Sequence, residues 1–238
     1  MIKIMGFRRL GYKIGLIRVR TVSDDELRKR VFGRMIEEFF PNVKVVSYCI
    51  EGQPEGIYDE ETMRKGIPKI LDAIKKLEQE VDAIIIGCCS DPGLEEGRKL
   101  VRTPLIGAGA AVAAVALQYG SRVGLLAEND LPPLVPPSIK RILGDNLIAR
   151  ESPRNVRDAY DLFNPKNRNE IFEAAERLKK RNVDVIALGC TGYSVLRIAP
   201  VLAERLQIPV IDPMIAAASM AVAMIYSKSI QPPNSRHE

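Results

Sequence analysis

Histidine is all but missing from this chain of 238 residues: the single one is His237, beside the last position, in a Pro/Ser/Arg tail. A Ser-His-Asp or Cys-His catalytic arrangement would have to recruit that tail residue. The same scarcity removes the imidazoles of a Cys/His zinc site, and no Cys-x-x-Cys pair takes their place. Four cysteines are too few for a disulfide scaffold in a chain this long, and a reducing cytosol would oppose one. Aromatics are only 5% of residues and the net charge is a modest +5, its Lys and Arg interleaved with Asp and Glu. No nucleic-acid face is expected from that pattern. A surface biased toward anionic small molecules is. No apolar run reaches the roughly 18 residues a membrane helix requires. The start Met1 to Arg9 lacks a signal peptide's apolar core and cleavage site, so a cytoplasmic protein with no membrane partner is expected. Chemistry is left to thiols, carboxylates, hydroxyls, Lys and Arg.

What the chain does have is one unit written twice. Val81-Asp82-Ala83-Ile84-Ile85-Ile86-Gly87-Cys88, followed by Pro104-Leu105-Ile106-Gly107, is echoed by Val183-Asp184-Val185-Ile186-Ala187-Leu188-Gly189-Cys190 and Pro209-Val210-Ile211-Asp212. Lys13-Ile14-Gly15-Leu16-Ile17 pairs in the same way with Arg122-Val123-Gly124-Leu125-Leu126. The spacings between copies drift only by what loop-length differences would give. Short apolar strands alternate with helical stretches in both halves, which predicts an α/β fold of two pseudo-symmetric lobes, each a parallel sheet covered by helices. The lobes are expected over 1–107 plus 213–238, and over 108–212. Ser23, Asp59 and Asp91 suit helix N-caps, with Pro92 at the first position of a helix reaching about Val101. Helices are further expected over 108–119, 135–143, 167–181, 192–206 and 213–227. Asp82 and Asp184 stand at strand starts and are expected to be structural.

In open parallel sheets the binding crevice lies beyond the carboxyl ends of the strands. That rule gathers Arg18, Arg20, Cys88, Glu128 and Cys190 at one opening. The stretches Gly87-Cys88-Cys89-Ser90-Asp91-Pro92-Gly93-Leu94 and Leu188-Gly189-Cys190-Thr191-Gly192 resemble the cofactor-independent aspartate/glutamate/hydantoin racemase superfamily. Asp-Pro-Gly-Leu after the first cysteine, with Ile57-Tyr58-Asp59-Glu60 and Pro209-Val210-Ile211-Asp212, is most similar to the hydantoin and allantoin racemase branch. The resemblance implies an active site between the lobes, with neither cofactor nor metal, a small-molecule substrate and a homo-oligomer. It implies Cys88 and Cys190 as the catalytic acid/base pair, with Ser90, Cys89, Thr191, Gly192, Arg20 and Thr21 around the substrate. Departures fall at Arg18-Val19-Arg20, where the branch carries Asn-Pro-Asn, at Ala110 in place of a glutamate, and at Cys89 in place of an aromatic. An arginine pair there fits a carboxylate-bearing substrate, and a surface or interdomain role is the plainer alternative.

Two thiols suit inversion of a carbon next to a carbonyl, because one proton must leave from one face and another arrive at the opposite face. A free thiol near pKa 8.5 is mostly protonated at neutral pH, and a helix N-terminus steadies a nearby anion by up to about 2 kcal/mol. Helix starts expected just after both cysteines would bring either thiol close to its working pH. The α-carbon would then pass its proton between Cys88 and Cys190. Two alternatives stay open on these residues. One is a lyase or isomerase of the same fold using one cysteine, and the other is a non-catalytic two-lobe binding protein. Core packing remains the plain alternative for Cys49 and Cys89.

Overall fold

A computed structural model describes residues 11–22, 25–54, 56–131 and 135–230. The expected cap Ser23, the middle of the Leu131 to Pro137 segment and the tail with His237 lie outside the described residues. Strands β1 (Tyr12–Arg18), β2 (Val43–Cys49), β3 (Ala83–Ile86) and β4 (Leu105–Gly107) form one parallel sheet in the order β2-β1-β3-β4. Strands β5 (Val123–Leu126), β6 (Leu147–Glu151), β7 (Val185–Leu188) and β8 (Val210–Ile211) form a second in the matching order β6-β5-β7-β8. The repeat in the sequence is a repeat in the fold.

Each central strand is buried on both faces, which is why it reads as a continuous apolar run and not an alternating one. Ala83 and Ile85 of β3, with Val185 and Ala187 of β7, enter one core shared by both sheets. Their neighbours Ile84 and Ile86 face the outer core of the first lobe, and Ile186 and Leu188 that of the second. The shared core is filled by helices α4 (Ala108–Ala116) and α9, whose small residues Ala111, Ala113, Ala217, Ala218 and Ala221 let the sheets approach closely. Helix α9 (Pro213–Ile230) packs on β3, β4 and α4. Asp82 and Asp184 are structural twins: each carboxylate accepts the backbone N–H that opens the neighbouring strand, from Lys13 at 2.9 Å and Arg122 at 3.0 Å.

The remaining helices are α1 (Asp25–Phe39), α2 (Glu60–Leu77), α3 (Leu94–Leu100), α5 (Pro137–Leu143), α6 (Arg168–Lys180), α7 (Gly192–Val195) and α8 (Ile198–Leu206). Asp59 caps α2 as expected, in a capping box with Thr62. Two expectations are corrected. The single helix over 192–206 is broken at Arg197, which adopts φ 48°. Pro200 explains the break, because it has no N–H for the carbonyl four residues back and is tolerated only in a first turn. Asp91 does not cap the helix that follows it. Helix α3 starts after Gly93 with no side-chain cap, and Asp91 instead accepts the N–H groups of Gly109 (2.9 Å) and Ala110 (2.7 Å), capping α4. Asp212 does the same for α9, accepting from Met214 (2.8 Å) and Ile215 (3.0 Å) while Ser194 Oγ donates to it at 2.9 Å.

Gly109 lies so close to the Cys89 carbonyl that a Cβ there would stand 2.0 Å from its oxygen. Helix propensity alone would have Gly109→Ala stabilise the protein by about 1 kcal/mol. Contact with an immovable backbone group outweighs that gain, and a net loss of about 2 kcal/mol is expected from overpacking. Urea unfolding checks the sign: a higher midpoint for Gly109→Ala would mean that the Cys88-Cys89 turn is not pressed against α4.

Candidate active site

Both cysteines of the repeat stand two residues past a central strand, Cys88 after β3 and Cys190 after β7. The glycine before each is fixed by close approach. The Gly87 N–H donates to Ile17 O (2.9 Å) and the Gly189 N–H to Leu126 O (2.8 Å), so a side chain would press on the neighbouring strand. The residue after each cysteine reaches across to the other lobe. Thr191 Oγ1 donates to Gly87 O at 3.3 Å, and Cys89 Sγ to Leu188 O at 3.8 Å. The two strand ends thus clasp each other and hold Cys88 and Cys190 on the walls of one cavity of about 280 Å³.

Of the residues expected around a substrate, Ser90, Cys89, Thr191, Gly192 and Arg20 line that cavity. Thr21 does not. Its hydroxyl donates to Ile50 O (2.8 Å) and accepts the Gln53 N–H (2.7 Å), closing the loop after β2. Arg18 lines the cavity as well, its guanidinium 5.2 Å from the Phe32 ring centre, and the Arg20 guanidinium lies 3.3 Å over Tyr160. Both stand at the strand ends in the crevice between the lobes, where Arg20 stacks on a ring of the second lobe, as the interdomain alternative expects. Cys49 closes β2 away from the cavity.

Sequence reasoning passed over several of the walls. Val31 and Phe32 come from α1, Ile57 and Tyr58 from the loop before α2, and Asp158, Tyr160 and Phe163 from the irregular stretch after β6. That stretch is the longest loop of the second lobe, and long loops over a strand-end crevice are where binding groups concentrate. Glu128 was placed near the opening but given no role. It lines the cavity, and Cys190 Sγ donates to its Oε2. Its position two residues past β5, matching that of the cysteines after β3 and β7, is the available signal.

The thiols are not poised as expected. Burial pushes Cys88 up to about 12, against the pull of the Ser90 backbone N–H and hydroxyl. Burial holds Cys190 well above the ordinary thiol value, the Glu128 charge adds to it, and the Gly192 N–H at 3.2 Å opposes it. Cys89 is raised for the same reason, burial. The expected help from helix dipoles is outweighed because α7 is a single turn and α3 starts only at Leu94, leaving isolated N–H donors in a dry pocket. Burial also pushes Glu128 up to about 7 and Asp91 up to about 6. Among the described residues no group of three or more His, Cys, Asp and Glu is placed to hold a metal ion, and no helix is long and apolar enough to cross a membrane.

The model of the family described as Asp/Glu/Hydantoin racemase matches residues 30–221 of this chain. A hydantoin racemase of Pseudomonas sp. (strain NS671) is 29% identical over 184 residues, 72% of this chain and 68% of its own length. One from Rhizobium meliloti is 34% identical over 174 residues, 67% of each. The solved structure of an allantoin racemase from Klebsiella pneumoniae superposes with a TM-score of 0.77 at 22% identity, over 92% of this chain and 89% of that one. It shares the two-lobe fold.

The raised carboxyls give stability a definite slope with pH. A carboxyl whose folded pKa exceeds its ordinary value near 4 binds its proton more tightly in the folded state, so its contribution is lost as pH rises through the folded value. Asp91 acts through about 6 and Glu128 through about 7. The melting temperature is therefore expected to be higher at pH 5 than at pH 8, with a smaller difference in Glu128→Gln. Calorimetry across that window checks it, and a rising melting temperature from pH 5 to 8 would contradict these assignments.

Proposed function

The chain belongs to the Asp/Glu/hydantoin racemase family and is an isomerase of the racemase type, and on that premise we propose that it inverts a carbon next to a carbonyl by proton transfer between Cys88 and Cys190. The observation that carries this reading is that both cysteines line one cavity, from the ends of equivalent strands in two equivalent lobes. We divide the lobes at 1–107 plus 213–238 and 108–212, with the substrate bound between them. One cysteine, as thiolate, removes the α-proton from one face. The other, as thiol, delivers its own proton to the opposite face, and the pair returns with roles exchanged. No electron or atom is left over, and neither cofactor nor metal is required by the step.

The burial that raises the thiols also makes a thiolate formed there a stronger base than one in water, which suits a weakly acidic C–H. The Ser90 and Gly192 N–H groups, already directed at the two sulfurs, are placed to meet negative charge that moves onto the carbonyl oxygen. Substrate-binding roles go to Cys89, Ser90, Thr191, Gly192 and Arg20. Thr21 would act one step removed, by holding the loop that carries Ile57 and Tyr58. The names of the curated relatives support a hydantoin-like or amino-acid-derived substrate. Val31, Phe32, Ile57, Phe163 and Val195 suit an apolar substituent, and Arg18 and Arg20 suit a carbonyl or carboxylate end. We place the enzyme in the cytoplasm as a homo-oligomer; four free cysteines suit a reducing compartment, and exposed Met224 and Tyr226 on α9 suit a subunit contact.

Cys88→Ala and Cys190→Ala are each expected to lower racemisation at least about 100-fold, the lower end of what a positioned acid or base supplies. The assay follows loss of optical rotation and deuterium uptake from heavy water into recovered substrate, over 5-substituted hydantoins, allantoin, aspartate and glutamate. A single variant racemising at the parent rate ends the two-base scheme. Carbon dioxide release or a trapped thioether adduct, without deuterium in recovered substrate, would assign a one-cysteine reaction instead.

A further inference from the structure

The duplicated halves differ at two positions that touch a cysteine sulfur: Ser90, whose hydroxyl reaches Cys88, aligns with Gly192, and the other follows the first strand of each lobe. Alignment of Gly15-Leu16-Ile17 with Gly124-Leu125-Leu126 places Val19 of the first lobe opposite Glu128 of the second. The first has no polar group to offer its cysteine. The second puts a carboxyl in hydrogen-bonding contact with Cys190 Sγ. Cys88 is served by the neutral donors of Ser90 instead. Two sulfurs in equivalent places of the fold therefore have chemically different neighbours.

From this contact we infer that Glu128 is a positioning residue that fixes the protonation state of Cys190, holding it as the thiol at rest and leaving Cys88 to be the first base. A carboxylate can only accept from the sulfur, so while Glu128 is charged the shared proton belongs on Cys190. A thiolate at Cys190 beside that carboxylate would place two negative charges in contact in a dry site. When Cys190 has given its proton to the substrate, Glu128 takes up one proton from solvent and, as the neutral acid, donates its O–H to the Cys190 thiolate. It returns that proton to solvent once Cys190 is reprotonated by substrate in the reverse turn, so the exchange balances over the cycle. The carboxyl is suited to that exchange because burial brings it up to about 7.

The groups facing the pair agree with this assignment. Asp158, in the loop after β6, adds negative charge and supports proton uptake by Glu128. Tyr193 on α7 is fully buried, raised well above its ordinary value by burial, and donates to Ala127 O at 2.8 Å. Cys88, Cys89 and Asp91 after β3 supply no positive charge. Arg150 on β6 pairs with Asp130 at 2.6 Å and donates to Asn129 O. Arg18 and Arg20 line the same cavity as Glu128, each over an aromatic ring. Asp59 and Tyr58, from the first lobe, line the shallow neighbouring pocket that Glu128 also borders.

This inference rests on the two-cysteine reading, and its test needs no turnover. Alkylation by iodoacetamide between pH 6 and 10, followed residue by residue through mass spectrometry of the peptides, reports the thiolate fraction of each cysteine. In Glu128→Gln, which keeps the size and loses the charge, Cys190 is expected to react about tenfold faster at pH 8, the change one pKa unit gives a mostly protonated thiol. Cys88, farther from the carboxylate, gains less. Glu128→Asp keeps the charge and stays near the parent rate. A Cys190 rate unchanged or lowered in folded Glu128→Gln overturns the inference, as does a rise shared equally by Cys88, Cys89 and Cys190, which would mark a loosened fold. Should the single-cysteine variants racemise normally while Cys190 still accelerates, the two-base scheme fails and the Glu128 contact stands.

Discussion

Everything in this molecule depends on the clasp between two strand ends. Each sheet presents a Gly-Cys corner, and each corner is tied to the other lobe by the residue after its cysteine. Thr191 bonds the Gly87 carbonyl and Cys89 meets the Leu188 carbonyl. Neither contact is strong alone: a neutral hydrogen bond contributes about 1 kcal/mol net, and a thiol donor less. Their value is geometric. They sit at the mouth of a core shared by both sheets, so the packing of α4 and α9 sets the gap that the clasp then fixes. The cavity is what remains when two equivalent Gly-Cys corners meet.

The fold was legible because the central strands are buried on both faces, which gives long apolar runs that few helices imitate, and because the chain carries them twice. Cys88 and Cys190 were legible for the same reason, as matched strand ends in a chain with no usable histidine. What escaped was whatever depends on contacts between distant segments. Asp91 reads as a cap for the helix beside it, since a cap is recognised by local spacing, yet its carboxylate reaches Gly109 and Ala110. Pro200 carried a visible warning against a helix through Arg197, and the apolar spacing on either side of it masked the warning. Arg20 and Tyr160 lie far apart in the chain, and only the folded crevice stacks one on the other.

Electrostatics were the least legible part. Proximity to a helix start suggests a lowered thiol pKa, while enclosure by apolar side chains raises it, and the outcome turns on magnitudes. A dipole at a single-turn helix is worth a fraction of the roughly 2 kcal/mol available at a full-length one, whereas full burial shifts an ionisable group by as much as 3–5 units. The pocket is lined by Val19, Val22, Phe32, Ile57 and Val195 beside its few polar groups. Burial wins. The site is consequently one that resists holding charge when empty, which favours a substrate able to bring its own dipoles to the sulfurs over a free thiolate waiting in water.

Symmetry in such a site is a matter of backbone more than of chemistry. In the two-base scheme proposed above, inverting a carbon calls for bases on opposite faces, and duplication would supply them. Two thiols in identical surroundings would nevertheless share the same proton affinity, and the empty enzyme would hold no preference for which is acid and which is base. A carboxyl beside one of them removes that degeneracy, as burial pushes two neighbouring ionisable groups to compete for a single proton. Because Glu128 stands two residues past β5, a strand that pairs with β7, it is held by the same sheet that holds Cys190. On that reading, divergence beside the cysteines, where the backbone is fixed on both sides, gives equal scaffolds unequal roles.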